Sequence, residues 1–510
     1  MEPPITRYPD AGVSSGGRAV MVLGTTSGAG KSWLSTALCR WYAREGLAVA
    51  PFKAQNMSNN ARVVPTLEGT AGEIGSAQYF QALAARARPD VRMNPVLLKP
   101  EHDTASQVVV MGQVRPDLGA EPWRARSEKL WPYARDALRS LLRENELVVI
   151  EGAGSPAEIN LAASDYVNMR TAREAGAACL LVADIDRGGA FAHLYGTHQL
   201  LPPDERALIR GFVLNRFRGD ARLLAPGPEQ LERLTGLPTL AVLPMWREHG
   251  LPEEDGWFDD AQDRPPNGDE AGDSSLRIAV VAFPRVSNLD ELQPLGRCPG
   301  VRLHWARTPR ALEGADWIVL PGSKHTSGDL AWLRDRGIDR PILRHADRGG
   351  RVLGICGGLQ MLGETLADPH GVDGDARGLG LLPLETVFGP KKLLRRTRAR
   401  FAAARDGWSA LADLAFDGYE IRHGRTTAAP AAAGDLVIAL RDEAGEPIGW
   451  QRGNVLGVYT HGMFESPEVM RRLFGARHRS LDDVFEGLAD YIDVRFGPGV
   501  LLGLAQGRAA

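Results

Sequence analysis

Gly24-Thr25-Thr26-Ser27-Gly28-Ala29-Gly30-Lys31-Ser32 follows the apolar run Ala19 to Leu23 and opens a stretch with apolar positions at Leu34, Ala37, Leu38 and Trp41. Strand, glycine turn and helix in that order make the N-terminal half an α/β fold. The turn is also the setting in which backbone N–H groups and a helix dipole hold phosphate. Gly28 and Gly30 belong to that cradle, Lys31 is placed to reach the β- and γ-phosphates of ATP, and Ser32 to ligate Mg²⁺. Five residues, not the usual four, separate Gly24 from Gly30-Lys31, so the loop is a shifted variant of the ordinary phosphate loop.

The same rhythm continues on both sides. Short apolar runs at Leu47 to Phe52, Leu147 to Glu151, Ala178 to Asp184, Gly211 to Phe217 and Thr239 to Pro244 alternate with helical stretches. It resumes at Arg277 to Phe283, Trp317 to Pro321, Arg351 to Ile355 and Val455 to Thr460. Buried strands alternating with helices imply parallel sheets covered on both faces. Between the two series lies 257–275, acidic, containing proline and glycine and nearly free of apolar residues, which reads as a linker. At 510 residues the chain is too long for one ordinary core. The expected organisation is a tail at 1–18, a nucleotide domain at 19–256, the linker, and a second doubly wound domain at 276–505.

Hydrophobic content of 44%, charged content of 24% and a formal net charge of −3 give no hint of nucleic acid as a partner. No run approaches the roughly 18 apolar residues of a membrane-spanning helix. The first residues, with Glu2 and Asp10, lack the apolar centre of a signal peptide, so a cytoplasmic location is expected. The four cysteines, Cys39, Cys179, Cys298 and Cys356, show no spacing suited to zinc or a disulfide framework. Cys39 and Cys179 sit in apolar patterns where cysteine acts as a small core residue.

Cys356 is different. Arg351-Val352-Leu353-Gly354-Ile355-Cys356-Gly357-Gly358 is a short strand running into a sharp turn and then the helical pattern Leu359 to Leu362. Glycines on either side let a nucleophile project from a strained turn, and the helix N-terminus favours thiolate. The N–H of Gly357 is a candidate oxyanion donor, and Gly322, in another strand-ending glycine turn, is a second. His461, in Val458-Tyr459-Thr460-His461-Gly462, also follows a strand and is the candidate base. In the N-terminal half Glu151 ends a buried strand, where it is either a second Mg²⁺ contact or a cap of the following turn. Lys53 follows the strand at Leu47 to Phe52, placed to neutralise a carboxylate or phosphoryl group, or else simply exposed. Asn215 either reads adenine with its amide or forms a turn.

The elbow Gly354-Ile355-Cys356-Gly357-Gly358-Leu359-Gln360 resembles that of class I glutamine amidotransferases, whose domain is flavodoxin-like. The shifted phosphate loop with Glu151-Gly152-Ala153-Gly154 resembles that of the dethiobiotin-synthetase-like ATPases. Their order resembles the cobyric acid synthase family, as do the longer runs at 51–57, 93–100, 150–160, 182–189, 215–220 and 251–255. The resemblance spans roughly Ala19 to Leu504. It implies an amide synthase of cobalamin biosynthesis, dependent on ATP, Mg²⁺ and L-glutamine, that amidates the b, d, e and g carboxylates of a corrinoid, adenosylcobyrinic acid a,c-diamide. Cys356 and His461 would release ammonia, and a shielded passage would carry it to a carboxylate activated as an acyl phosphate.

The chain departs from the wider pattern in places. Class I amidotransferases usually carry a carboxylate two residues after the histidine, where this chain has Met463. The nearest acid is Glu465, so His461 must be oriented by some other group, a backbone carbonyl being one option. Gly28 stands where an aspartate is common in the family, and Trp33 and Ala54 where threonine and proline are. His423 is read as structural. Two other readings are the related synthase that makes the a,c-diamide, whose sequence differs around 51–57, and a nucleotide-switched partitioning-type ATPase. The latter group carries an extra lysine early in the loop, where this chain has Thr25 and Thr26.

Overall fold

The computed structural model describes residues 17–102, 105–119, 121–252, 275–430, 434–475 and 480–507. Apart from Ser275, the expected linker lies outside the described residues, as does nearly all of the expected N-terminal tail.

The N-terminal lobe is built on a six-stranded parallel sheet in the order Thr239–Pro244, Ile209–Phe217, Ala178–Asp184, Arg18–Gly24, Leu147–Glu151, Val49–Phe52. Its central strands are buried on both faces, which is why they read as unbroken apolar runs. Gly24, Glu151, Asp184 and Asn215 all lie at or near the carboxyl ends of neighbouring strands. That edge is where ligands collect in such sheets. A hairpin, Ala61–Pro65 with Ala71–Gly75, and a four-stranded sheet led by Gln55–Met57 extend this lobe toward the second one.

The second lobe has a parallel core of Val301–Ala306, Leu276–Val281, Trp317–Leu320, Arg351–Ile355 and Val455–Val458, in that order. Here the structure adds to the expected parallel sheet. Antiparallel strands continue it through Pro447–Arg452 and Val437–Arg441 to the long pair Leu384–Phe401 and Ala415–Ala428. Leu384–Phe401 has alternating buried and open positions at its ends and a run of lysines and arginines between. It therefore lacks the compact apolar signature of core strands such as Arg351–Ile355.

The expected second domain, 276–505, also divides. The helix Leu481–Asp493 and the helix Val500–Ala505 pack on the first lobe, where Val484, Phe485, Leu488 and Ile492 share a core with Leu34, Leu38 and Trp41 of the helix Lys31–Arg44. Polar contacts reinforce the seam. Buried Arg40 pairs with Asp482 (2.6 Å) and Glu486 (3.1 Å), Trp41 Nε1 donates to Asp493 (2.7 Å), and Tyr42 OH donates to the Leu501 carbonyl (2.8 Å). The amphipathic pattern of 481–493 states that this helix buries a face, but not against which lobe. Trp33 finds its role here: its ring meets Tyr491 and His249 edge-on, and Tyr491 stacks on Trp246.

Candidate active sites

At the first site the phosphate loop turns through Gly28 (φ 71°) and Gly30 (φ 98°), a region of backbone space that glycine enters at low cost. A Cβ on Gly30 would lie 2.0 Å from Asn215 Nδ2, so the loop closes against that side chain. Asn215 donates to the Ala29 carbonyl (2.9 Å) and its Oδ1 accepts from the N–H of Arg216 (2.9 Å). The amide is thus engaged with the loop and its own turn.

Lys31 Nζ donates to the carbonyls of Thr26 (3.0 Å) and Gly154 (3.1 Å), which hold the ammonium over the loop. Glu151 is the hub. Its Oε1 accepts from Ser32 Oγ (2.8 Å) and Lys53 Nζ (2.7 Å), and its Oε2 from Gln81 Nε2 (2.5 Å). Burial raises the carboxyl's pKa, but the Lys53 ammonium and the hydrogen bonds from Lys53, Ser32 and Gln81 outweigh it and hold Glu151 below its ordinary value. Lys53 is buried in this pair, not exposed.

The residues fit a magnesium nucleotide. Ser32 Oγ and the Glu151 carboxylate are oxygen donors side by side, and Thr25 Oγ1 is buried in the loop with no hydrogen-bond partner. Among the described residues no cluster of three His, Cys, Asp or Glu side chains could hold a metal by itself. A magnesium ion here would be shared with phosphate oxygens, as its preference for few protein ligands requires. The loop, Lys53 and Glu151 open into a cavity of about 510 Å³ that also includes Tyr166 and Asn168, with exposed Met57, Trp123 and Leu161 among its lining residues.

At the second site Cys356 has φ 50° and ψ −104°, a strained conformation for a residue with a side chain. Its surroundings force this. A Cβ on Gly358 would lie 1.9 Å from the Leu320 carbonyl and one on Gly357 2.8 Å from Ser323 N, so the turn is pressed against the neighbouring strand end. The sulfur contacts the Ile421 carbonyl at 3.6 Å and is hydrogen-bonded to His461. Gly322 also lies close to the histidine: a Cβ there would be 3.2 Å from His461 Cε1. The two glycine turns expected to donate to an oxyanion thus pack against each other beside the sulfur and the imidazole.

His461 is buried, its ring stacked on Tyr419 with centroids 5.2 Å apart. Its Nδ1 lies 2.8 Å from Glu291 Oε1, and Glu291 Oε2 accepts from the N–H of Gly462 (2.9 Å). The group that holds the ring is a carboxylate, not a backbone carbonyl, reached from 170 residues upstream. Burial disfavours the imidazolium, yet the Glu291 carboxylate and the hydrogen bonds with Cys356 and Glu291 lift the His461 pKa to about 10. Met463 is in the core, and Glu465 pairs with Arg62 (2.6 Å) instead. His423 hydrogen-bonds the Gly389 carbonyl (3.1 Å).

Sequence reading missed Glu291, Gln81 and Arg62. Glu291 left a faint trace as one of two consecutive acids set between Leu289 and Leu292. Gln81 lies on an ordinary helix, Ser76–Ala84, and left none.

Comparison with known proteins covers both lobes. The family model of the CobQ/CobB/MinD/ParA nucleotide binding domain matches residues 20–251, and that of the CobB/CobQ-like glutamine amidotransferase domain matches residues 277–469. Similar full-length relatives are the cobyric acid synthase of Methylibium petroleiphilum, 70% identical over 96% of this chain and 96% of the relative, and that of Leptothrix cholodnii, 67% identical over 96% and 98%. The cobyric acid synthase of a Polaromonas species is 63% identical, again over 96% of this chain and 98% of the relative.

Proposed function

The chain belongs to the cobyric acid synthase family, and on that footing we propose that it converts the b, d, e and g carboxylates of adenosylcobyrinic acid a,c-diamide to amides, with ATP as energy source and glutamine as nitrogen source. The observation that carries this is identity of 70% to a cobyric acid synthase over 96% of the chain, a span that includes both sites.

A carboxylate is a poor electrophile; magnesium ATP supplies the phosphoryl group that makes it an acyl phosphate. In this reading Lys31 and the loop N–H groups bind the phosphates, Ser32 and Glu151 hold the magnesium, and Lys53 neutralises charge that builds between phosphoryl group and carboxylate. The lysine is well sited for that, because it already faces Glu151 at 2.7 Å. The size of the adjoining cavity and the exposed apolar residues Met57, Trp123 and Leu161 around it suit a broad, partly apolar macrocycle carrying acidic arms.

At the second site Cys356 attacks the side-chain amide of glutamine while its proton passes to His461. The developing oxyanion forms between the Gly357 and Gly322 turns. His461 then protonates the departing ammonia, and water hydrolyses the thioester. Free ammonia is mostly protonated at neutral pH and cannot attack, so transfer between the lobes must be shielded. The arrangement supports this, because contacts from Asn60 and Ala61, at the start of the hairpin, to Asn288 and Leu289 close the lobes on each other.

Incubation of the protein with ATP, Mg²⁺, glutamine and adenosylcobyrinic acid a,c-diamide should give a ladder of products by mass spectrometry, one step for each OH replaced by NH₂. If that corrinoid stays unchanged while cobyrinic acid is amidated, the activity is that of the neighbouring a,c-diamide synthase.

A further inference from the structure

We propose that Glu291 is the positioning residue of His461, completing from the opposite end of the lobe what the usual amidotransferase carboxylate does, and that the ATP lobe holds it there. The inference rests on the glutaminase reading of Cys356 and His461.

Glu291 is fully buried and uses both carboxylate oxygens at this one place, Oε1 on His461 Nδ1 (2.8 Å) and Oε2 on the Gly462 N–H (2.9 Å). A carboxylate on Nδ1 sets the tautomer, leaves Nε2 for the sulfur, and stabilises the imidazolium formed when the thiol gives up its proton. No backbone carbonyl could do the last of these as well, since it brings no charge. The other titratable or charged groups around this pair are Cys356, Tyr419, Asp290, Glu465 and Arg62. Arg62 answers the acids: its guanidinium is buried, pairs with Asp290 and Glu465, and lies 5.0 Å from the Tyr419 ring. Glu291 is therefore the carboxylate left to the histidine.

The loop that carries Glu291 is clamped from outside its own lobe. Asn288 stands at φ 54°, its Oδ1 accepts from the N–H of Ala61 (2.9 Å), and the N–H of Leu289 donates to Asn60 Oδ1 (3.0 Å). With the Arg62–Asp290 pair, three contacts from the consecutive residues Asn60, Ala61 and Arg62 of the ATP lobe fix the three residues before Glu291. A left-handed asparagine costs conformational energy, and these partners offset it.

The test uses the full chain carrying Glu291→Gln, Glu291→Asp or Asn60→Ala, with ammonia release from glutamine followed against pH and ammonia-driven corrinoid amidation measured alongside. Glu291→Gln should lower glutaminase kcat on the order of 10²-fold with KM little changed. Without the carboxylate, His461 loses its proton at lower pH, so the alkaline fall of the rate should move down by about one pH unit or more. Glu291→Asp should recover part of both effects, Asn60→Ala should move both the same way to a smaller extent, and ammonia-driven amidation should persist in all. Wild-type kcat and an unmoved alkaline limb in Glu291→Gln would overturn the proposal, as would parallel loss of ammonia-driven activity, which marks a merely structural residue. Wild-type behaviour of Asn60→Ala would remove the ATP lobe from it. Should even the wild-type protein release no ammonia, the glutaminase reading fails instead. The pH profile of Cys356 alkylation by iodoacetamide then decides, since it should shift in Glu291→Gln whether or not glutamine is the substrate.

Discussion

Cys356 and Lys31 divide the chemistry, and single substitutions separate their contributions. Cys356→Ala should abolish ammonia release from glutamine and leave amidation driven by added ammonium salt intact, because the phosphate loop, Lys53 and Glu151 all belong to the other lobe. Full glutaminase activity in that variant would mean the nucleophile is elsewhere. Lys31→Ala should stop amidation from either nitrogen source, since the ammonium that Thr26 and Gly154 hold over the loop is lost. Unchanged ATP consumption would take the loop out of the mechanism. The types of these residues and their local turns were legible in the chain. Glu291 was not, because a carboxylate can serve a histidine from any sequence distance, and only two bonds, at 2.8 and 2.9 Å, identify this one.

Among the elements, the helix Leu481–Asp493 changes the picture of the domains most. It begins with a capping box, Ser480 with Asp483, and buries Val484, Phe485, Leu488, Ala489 and Ile492. Those residues face the helix that starts at Lys31, so the last part of the chain buttresses the phosphate loop. Phe485→Ala should cost about 3–5 kcal/mol by removing a buried ring. Denaturant melts should show this loss in the nucleotide lobe, and ATP protection of that lobe should weaken with it. A transition in the amidotransferase lobe alone would contradict the packing. The parallel strands of both lobes could be read from their apolar runs, except the half-buried edge strand Val301–Ala306, where Arg302 and His304 interrupt the run. The long pair Leu384–Phe401 and Ala415–Ala428 could not, because its basic outer face obscures a period of two.

Across the whole molecule the lobes meet through buried charge. Glu73 of the hairpin accepts from Lys99 (2.8 Å) within its lobe and from Lys392 (2.5 Å) of the other. Burial raises the Glu73 pKa, but Lys392 and Lys99 overcome it and push the carboxyl down to about 2. A depressed folded-state pKa contributes stability that is present above the unfolded value, about 4.3, and is lost as pH falls toward 2. Glu73→Gln should therefore destabilise the protein at pH 7, by leaving buried lysines unpaired, and the difference from wild type should shrink between pH 4 and 2 in chemical melts. A constant difference across that range would remove Glu73 from the interface energetics. The path inward is short: the hairpin that bears Arg62 and Glu73 runs directly into the helix Ser76–Ala84, whose Gln81 reaches Glu151. By itself the sequence determined two α/β lobes, a phosphate loop at 24–32 and a thiol elbow at 354–360, because strand periodicity and glycine turns are local properties that neighbouring residues encode. Only the tertiary structure decided which carboxylate serves His461, which lobe the last helices join and how the hairpin grips the loop at 288–291. Those are contacts between residues hundreds of positions apart, and burial and charge pairing are satisfied in space, where separation along the chain leaves no mark.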